Sequence, residues 1–310
     1  MAERPLVALA GATGFLGRRL ADRLAAAGWR VRALVRRAED RAALTAAGFE
    51  VMAGDLADEP ALRRLVVGAE AAINCAGLIK ARKQAEYFRA NRDGAERFAA
   101  VHGGRSVLVS SLAAREPQLS DYAASKRAGE EAARGAAGGP LAILRPPAIY
   151  GPGDRETLSL FRLARWSPFA PVPGDARARL ALAHVDDVVA AIVDLAARTD
   201  LCGTYAVGGD RPEGYGWGEI AQAAWRAMGR QARPVRIPNW CLGSAAVAVE
   251  SIAAAGNRAS IFNRGKAREM AHGDWSVTLA EAIPGAPDTR FTLEAGFADT
   301  VAWYRTQGWL

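Results

Sequence analysis

Tyr122 and Lys126 stand four residues apart in DYAASKRAGEEAAR, an alanine-rich pattern that predicts a helix over Tyr122–Arg134. Residues at that spacing share one helix face. A phenol with a pKa of about 10 is a poor acid–base group at neutral pH. A neighbouring ammonium stabilises the phenolate and lowers that pKa, which suits proton exchange with a carbonyl or carbinol oxygen. In isolation the pair reads as a surface helix pair. What turns it toward catalysis is its company: an apolar run just upstream ends in Ser110 and Ser111, either of which could donate a hydrogen bond to a substrate oxygen.

The second constellation is LVALAGATGFLGRRLADRLAAAGWRVRALVRR, where Gly11, Gly14 and Gly17 fall between an apolar run and an amphipathic one. Gly11 permits a tight turn, Gly14 lets backbone amides approach a pyrophosphate, and Gly17 allows close helix–strand packing. The helix N-terminus presents the positive end of its dipole to the phosphates. Thr13, Phe15 and Leu16 belong to the same dinucleotide-binding turn. The following apolar run ends in Arg36 and Arg37, where an NAD-selective site carries Asp or Glu for the ribose hydroxyls. An acid there would repel a 2′-phosphate and a guanidinium would bind it bidentately. Arg36 and the missing acid therefore predict NADP(H), NADPH in the reducing direction.

These groups need a scaffold. Candidate strands at Leu6–Ala10, Val31–Val35, Phe49–Ala53, Ala71–Cys75, Ser106–Ser110 and Leu141–Leu144 alternate with helical patterns such as Phe15–Ala27, Ala85–Val101 and Tyr122–Arg134. The alternation implies right-handed crossovers and a parallel sheet covered on both faces. The expected fold class is α/β, a Rossmann doubly wound sheet. After Tyr150 the pattern breaks. Gly151 to Asp154 form a turn, and Pro168, Pro171, Pro173 and Gly174 predict a long loop. Helices are expected over Asp186–Ala197, Trp217–Met228 and Phe297–Gln307, with a short strand at Thr204–Val207. Residues 1–155 read as an NADP-binding domain, and 156–310 as a smaller substrate-binding lobe that returns some elements to it.

GATGFLG, Gly54-Asp55-Leu56, Asn74-Cys75-Ala76-Gly77, Asn91, Ser110-Ser111, Tyr122-Ala-Ala-Ser-Lys126 and RPPAIYGP (Arg145–Pro152) fall in one order. Together they resemble the extended and atypical short-chain dehydrogenase/reductase superfamily, in its epimerase/dehydratase-like branch, over the first two-thirds of the chain. The resemblance implies that Asp55 and Leu56 flank the adenine, Ala76 and Gly77 the ribose-phosphate side, and Pro146 to Ile149 the nicotinamide. It implies Ser111 rather than Ser110 as the substrate's hydrogen-bond donor, and a Lys126 that also holds ribose hydroxyls. The loop between Ser111 and Tyr122 is shorter than in the sugar-nucleotide epimerases that resemble this chain. His184-Val-Asp-Asp187 resembles the family's helix start, with Asp186 or Asp187 as N-cap. The tail, GKAREMAHGDWSV and GFADTVAWYRTQGWL, is similar to bacterial relatives of the Rossmann accessory subunit of respiratory complex I, a neighbourhood that includes ceramide reductases of sphingolipid synthesis.

The composition agrees with a globular enzyme. At 310 residues, with 50% hydrophobic and 24% charged residues, the chain is neither disordered nor collagen-like. Cys75, Cys202 and Cys241 fit no zinc spacing and suggest a reducing compartment. His102, His184 and His272 are too scattered for a metal site. The start lacks signal-peptide character, and the apolar stretch Trp240–Ala255 is too short to span a bilayer and carries Glu250. A cytoplasmic chain is expected.

The net charge is +7, and only four of the 40 basic residues are lysine. That favours anionic ligands, and no nucleic-acid-binding motif accompanies it. Leu160–Gly174 interleaves Phe161, Leu163, Trp166 and Phe169 with Arg162 and Arg165. NWCLGSAAVAVESIAAAGNRASIFNRGKAR is apolar first and then carries Arg258, Arg264, Lys266 and Arg268. Each stretch alone reads as a helix packing on the domain. Together they suggest a surface in peripheral contact with anionic lipid, on the inner face of the cytoplasmic membrane, or a channel for a long apolar substrate. The reading that follows is an NADPH-dependent reductase of a ketone on a lipid-like substrate, 3-oxoceramide or a related keto-sphingoid. The alternatives are a sugar-nucleotide epimerase or dehydratase, and a non-catalytic NADPH-binding subunit of a membrane complex.

Overall fold

Apolar runs closed by glycine turns become the strands of one sheet, and the alanine-rich amphipathic runs become its covering helices. The structure, a computed structural model, describes residues 4–175, 177–256, 259–260 and 262–310; Arg258 lies outside the described residues. The chain begins β1 (Leu6–Ala10), α1 (Phe15–Ala26), β2 (Arg30–Val35), α2 (Ala38–Ala46), β3 (Glu50–Ala53), α3 (Glu59–Val66), β4 (Ala71–Asn74) and α4 (Gln84–Phe88). A π-helical turn (Arg89–Asp93), α5 (Gly94–Ala100), β5 (Arg105–Val109), a 3-10 turn (Leu112–Arg115), α6 (Asp121–Ala136) and β6 (Leu141–Arg145) follow. The rest comprises β7 (Ala148–Tyr150), α7 (Leu158–Trp166), β8 (Phe169–Pro173), β9 (Arg179–Leu180), β10 (Leu182–His184), α8 (Val185–Ala197), β11 (Gly203–Ala206), α9 (Trp217–Ala227), β12 (Arg233–Ile237), α10 (Asn239–Ala255), α11 (Arg264–Ala271), β13 (Asp274–Trp275) and α12 (Leu293–Thr306).

Among the described residues the main sheet has seven strands in the order β11-β6-β5-β4-β1-β2-β3. Strands β1 to β6 pair in parallel, with Leu9 of β1 facing Ala33 on one side and Ile73 on the other. Every residue of β1 and β5 is buried, as parallel strands covered on both faces must be. The order reverses at β1/β4, and the crevice beyond the carboxyl ends of strands at such a switch point is where this architecture binds ligands. The fold is the expected Rossmann α/β sheet.

Contacts divide the chain into two units, Met1–Arg145 with Val189–Tyr205, and Pro146–Val188 with Ala206–Leu310. The second unit has short parallel pairs, β10 with β7 and β12 with β8. Its core gathers Tyr150, Phe161, Tyr215, Trp225, Phe297 and Tyr304. Among the described residues no helix is long and apolar enough to cross a membrane.

Three local expectations are corrected. The helix expected over Ala85–Val101 is interrupted by the π turn around Asn91, because α6 crosses there so closely that a Cβ on Gly129 would run into the Asn91 carbonyl. The proline-rich segment expected as a loop is the strand β8. The Pro168 carbonyl accepts from Arg233 and the Gly174 N–H donates to Ile237. Even-numbered positions therefore face the partner strand, and Pro171 and Pro173 turn their nitrogens away from it. Asp186 and Asp187 do not provide the cap of α8: the helix begins at Val185, the His184 Nδ1 accepts from the Asp186 N–H at 3.3 Å, and the Asp187 carboxylate accepts from the backbones of Arg290 and Phe291.

Candidate functional site

The glycine turn between β1 and α1 is shaped by backbone approach. Gly11 has φ +94°, and a Cβ there would lie 2.6 Å from the Ala76 nitrogen. A Cβ on Gly17 would run into the Gly11 carbonyl oxygen, so only glycine lets α1 sit this close to β1. Gly14 is the N-cap of α1, exposed and extended, with nothing nearer to a Cβ than the Gly11 oxygen at 3.5 Å. No side chain caps α1 and no acid lies in its first turn, so its first N–H groups and its dipole favour an anion. Thr13, Phe15 and Leu16 line this turn half-buried. The Cys75 thiol behind it donates to the Ala10 carbonyl at 3.1 Å, and burial pushes its pKa up to about 12, which leaves it neutral. These residues fit a dinucleotide diphosphate.

At the end of β2 the two arginines part. Arg37 binds Asp40 at 2.7 Å. Arg36 is exposed, and among the described residues its guanidinium takes part in no hydrogen bond or ion pair. The Asp55 carboxylate accepts from the Ala57 N–H at 2.8 Å and fixes its turn, while Leu56 packs half-buried against Gly94 of α5. The Ala76 N–H donates to Asn74 Oδ1 at 3.1 Å.

On α6, opened by Ser120 capping the Ala123 N–H, the predicted pair falls as spaced. Lys126 is buried and its Nζ donates to the Val109 carbonyl at 2.8 Å. Burial lowers its pKa to about 8, against the opposing pull of Glu130 and Cys75. A Cβ on Gly77 would lie 3.7 Å from that Nζ, so the β4 exit loop and the lysine meet. Tyr122, half-buried, sets its ring edge-to-face with the buried Tyr87 at 6.3 Å between centroids.

The two serines are told apart by their partners. Ser110 donates to Glu130 Oε1 at 2.6 Å, and the same buried carboxylate takes both arms of Arg145 at 2.8 and 2.6 Å. Ser111 instead accepts from the Ala113 N–H at 3.2 Å and caps the 3-10 turn. Asn91 clamps the loop after Gly77, donating to the Leu78 carbonyl and Ser125 Oγ and accepting from the Leu78 N–H; Ser125 in turn donates to the Tyr122 carbonyl. Pro146 and Ile149 belong to the second unit, Ile149 in β7 opposite Ala183. Sequence reasoning missed Glu130 and Tyr87. The signal for Glu130 was present, an acid one further helical turn along the Tyr122–Lys126 face.

Comparison with known proteins agrees with this geometry. The model of the NAD dependent epimerase/dehydratase family matches residues 7–208. The chain is 47% identical over 310 residues to the ceramide reductase of Caulobacter vibrioides, covering 99% of this chain and 96% of that one. It is 31% identical over 247 residues to the mitochondrial NADH dehydrogenase (ubiquinone) 1 alpha subcomplex subunit 9 of Arabidopsis thaliana, covering 74% of this chain and 59% of that one. The solved structure of MoeE5 in complex with UDP-glucose and NAD shares the fold with a TM-score of 0.70 at 22% identity, covering 98% of this chain and 99% of that one.

Proposed function

The chain belongs to the NAD-dependent epimerase/dehydratase family, and from that membership we propose that it is an NADPH-dependent reductase of a ketone on a lipid-like substrate, 3-oxoceramide or a related keto-sphingoid. The observation that carries the redox reading is Lys126, a buried ammonium fixed on the Val109 carbonyl one helical turn beyond Tyr122 and beside Gly77. The substrate class rests on the likeness to the ceramide reductase along almost the whole of both chains.

The turn from Gly11 to Gly17 and the N-terminus of α1 hold the diphosphate. Asp55 and Leu56 would flank the adenine, and Ala76 and Gly77 the ribose side. Arg36 takes the 2′-phosphate, which an acid at that place would repel. When bound, the dinucleotide supplies a hydride to the carbonyl carbon. Tyr122 gives its phenolic proton to the carbonyl oxygen, so that ketone, hydride and proton yield the secondary alcohol. Lys126 stabilises the phenolate left behind. Ser111, whose oxygen already accepts from Ala113, turns its proton to the same substrate oxygen and holds it in line. Ser110 is committed to Glu130 and serves the strand end.

The purified protein is expected to consume NADPH in the presence of 3-oxoceramide, to form the reduced ceramide by mass spectrometry, and to use NADH poorly. The likeness to a respiratory-complex subunit favours a second reading, a dinucleotide held as a structural element. Co-purification with respiratory subunits together with no turnover on any keto-sphingoid would select it and contradict the first.

A further inference from the structure

The second unit carries apolar surface that its own core does not absorb. On α7, Leu158, Phe161 and Ala164 turn inward, while Arg162, Leu163, Arg165 and Trp166 face out, Trp166 at 77% exposure. The register of β8 on β12 sets Phe169 beside Arg233 and Pro171 beside Val235, and paired neighbours point to the same side of a sheet. Phe169 and Val235 are exposed on that side, and Ala170 and Val172 of β8 are buried. The ribbon then runs into α10, whose Asn239 lies against Gly174. Along α10 stand Trp240, Val247, Val249 and Ile252, with Trp240 and Ile252 exposed at 73% and 74%. A helix this apolar is ordinarily covered.

The charge on this face is of one sign. Arg162, Arg165 and Arg233 are exposed, Arg236 falls beside the buried Val172 on the other side of the ribbon, and the stretches Leu158–Gly174 and Gly229–Val249 contain no acidic residue. The acid of α10, Glu250, binds Arg264 at 3.0 Å.

We propose that this face docks on an anionic phospholipid bilayer, with Trp166, Phe169, Val235 and Trp240 at the headgroup–acyl boundary and Arg162, Arg165 and Arg233 on the lipid phosphates. A second copy of the chain is a poorer occupant, because a self-complementary contact would set the same unbalanced arginines against each other. The docking does not depend on what the enzyme reduces.

The test is co-sedimentation of the full chain with vesicles of phosphatidylglycerol and phosphatidylcholine in equal parts, against phosphatidylcholine alone. Binding is expected to the anionic vesicles, weakened by high salt. Trp166→Ser with Trp240→Ser should reduce it by about tenfold or more. Arg165→Gln with Arg233→Gln should reduce it by about 25-fold, roughly fivefold for each charge. Melting temperatures of both double variants should match the parent's, since all four side chains are exposed. Equal affinity for the two vesicles, or unchanged binding by the tryptophan variant, overturns the proposal. So does a concentration-dependent dimer, seen by light scattering, that the tryptophan substitutions abolish; that result assigns the face to a second copy.

Discussion

Ala8, Ala10, Ala61 and Ala72, with Leu34, Leu62 and Leu65, fill one face of the sheet in the first unit, whereas Tyr150, Phe161, Trp225, Phe297 and Tyr304 fill the core of the second. In the first, backbones approach each other, Gly11 at Ala76 and Gly129 at Asn91, and side chains are small to allow it. In the second, rings meet edge to face, Tyr150 with Phe297 at 4.9 Å and Phe161 with Phe297 at 5.2 Å, and polar handles are tied off, as the Trp225 indole is on the Ser167 carbonyl. A nucleotide cradle made of backbone amides needs the first kind of construction. The second unit encloses its core with large side chains instead, so one unit breaks when atoms are added and the other when they are removed.

The largest effect follows from deletion in the second unit. Trp225→Ala should cost about 4 kcal/mol, read by chemical denaturation. A loss below about 1 kcal/mol would show that the aromatic cluster repacks freely. Next, Glu130→Gln should cost about 3 kcal/mol, because it leaves the Arg145 guanidinium without its buried carboxylate. Ser111→Ala should cost less, about 1 kcal/mol for the lost cap on the 3-10 turn, while slowing turnover. Addition to the first unit comes third. Gly17→Ala should cost about 2 kcal/mol and weaken dinucleotide binding as α1 is pushed off Gly11, measured by quenching of protein fluorescence.

The mildest test uses pH. Lys126, at about 8 in the fold against 10.5 for a free lysine side chain, is charged at neutral pH and loses its proton first in the folded state. The cost of burying that charge is fully present below about pH 8 and is relieved as pH rises toward 10.5, so stability gains a contribution there. Activity moves oppositely: kcat/KM should fall above about pH 8 as the phenolate loses its counter-charge. Lys126→Arg, which keeps its charge, should carry that limb to higher pH.

The same contrast governs what could be read before the structure. In the first unit most signals are local: glycine turns punctuate apolar runs, and helical spacing sets Tyr122 and Lys126 on one face. β1 to β6 accordingly lie within a residue of their expected bounds. Local reading failed where a distant segment decided the outcome. The π turn at Asn91 answers to Gly129 on another helix, and β8 exists because β12 arrives far along the chain with its donors set between the prolines. The division of labour between Ser110 and Ser111 rests on the direction of two hydroxyls, one of them taken by Glu130, which the sequence reports only as a spacing. The aromatic core joins residues from Tyr150 to Tyr304, and no periodicity spans that distance.

On the proposed function, Tyr122, one helical turn from Lys126, delivers the proton to the reduced carbonyl. The most direct test of that step is single-turnover reduction of 3-oxoceramide by Tyr122→Phe loaded with NADPH. NADPH binding is expected to be unchanged and the rate of ketone reduction to drop by about a thousandfold. A rate within a few-fold of the parent's, with the cofactor bound as before, would contradict it.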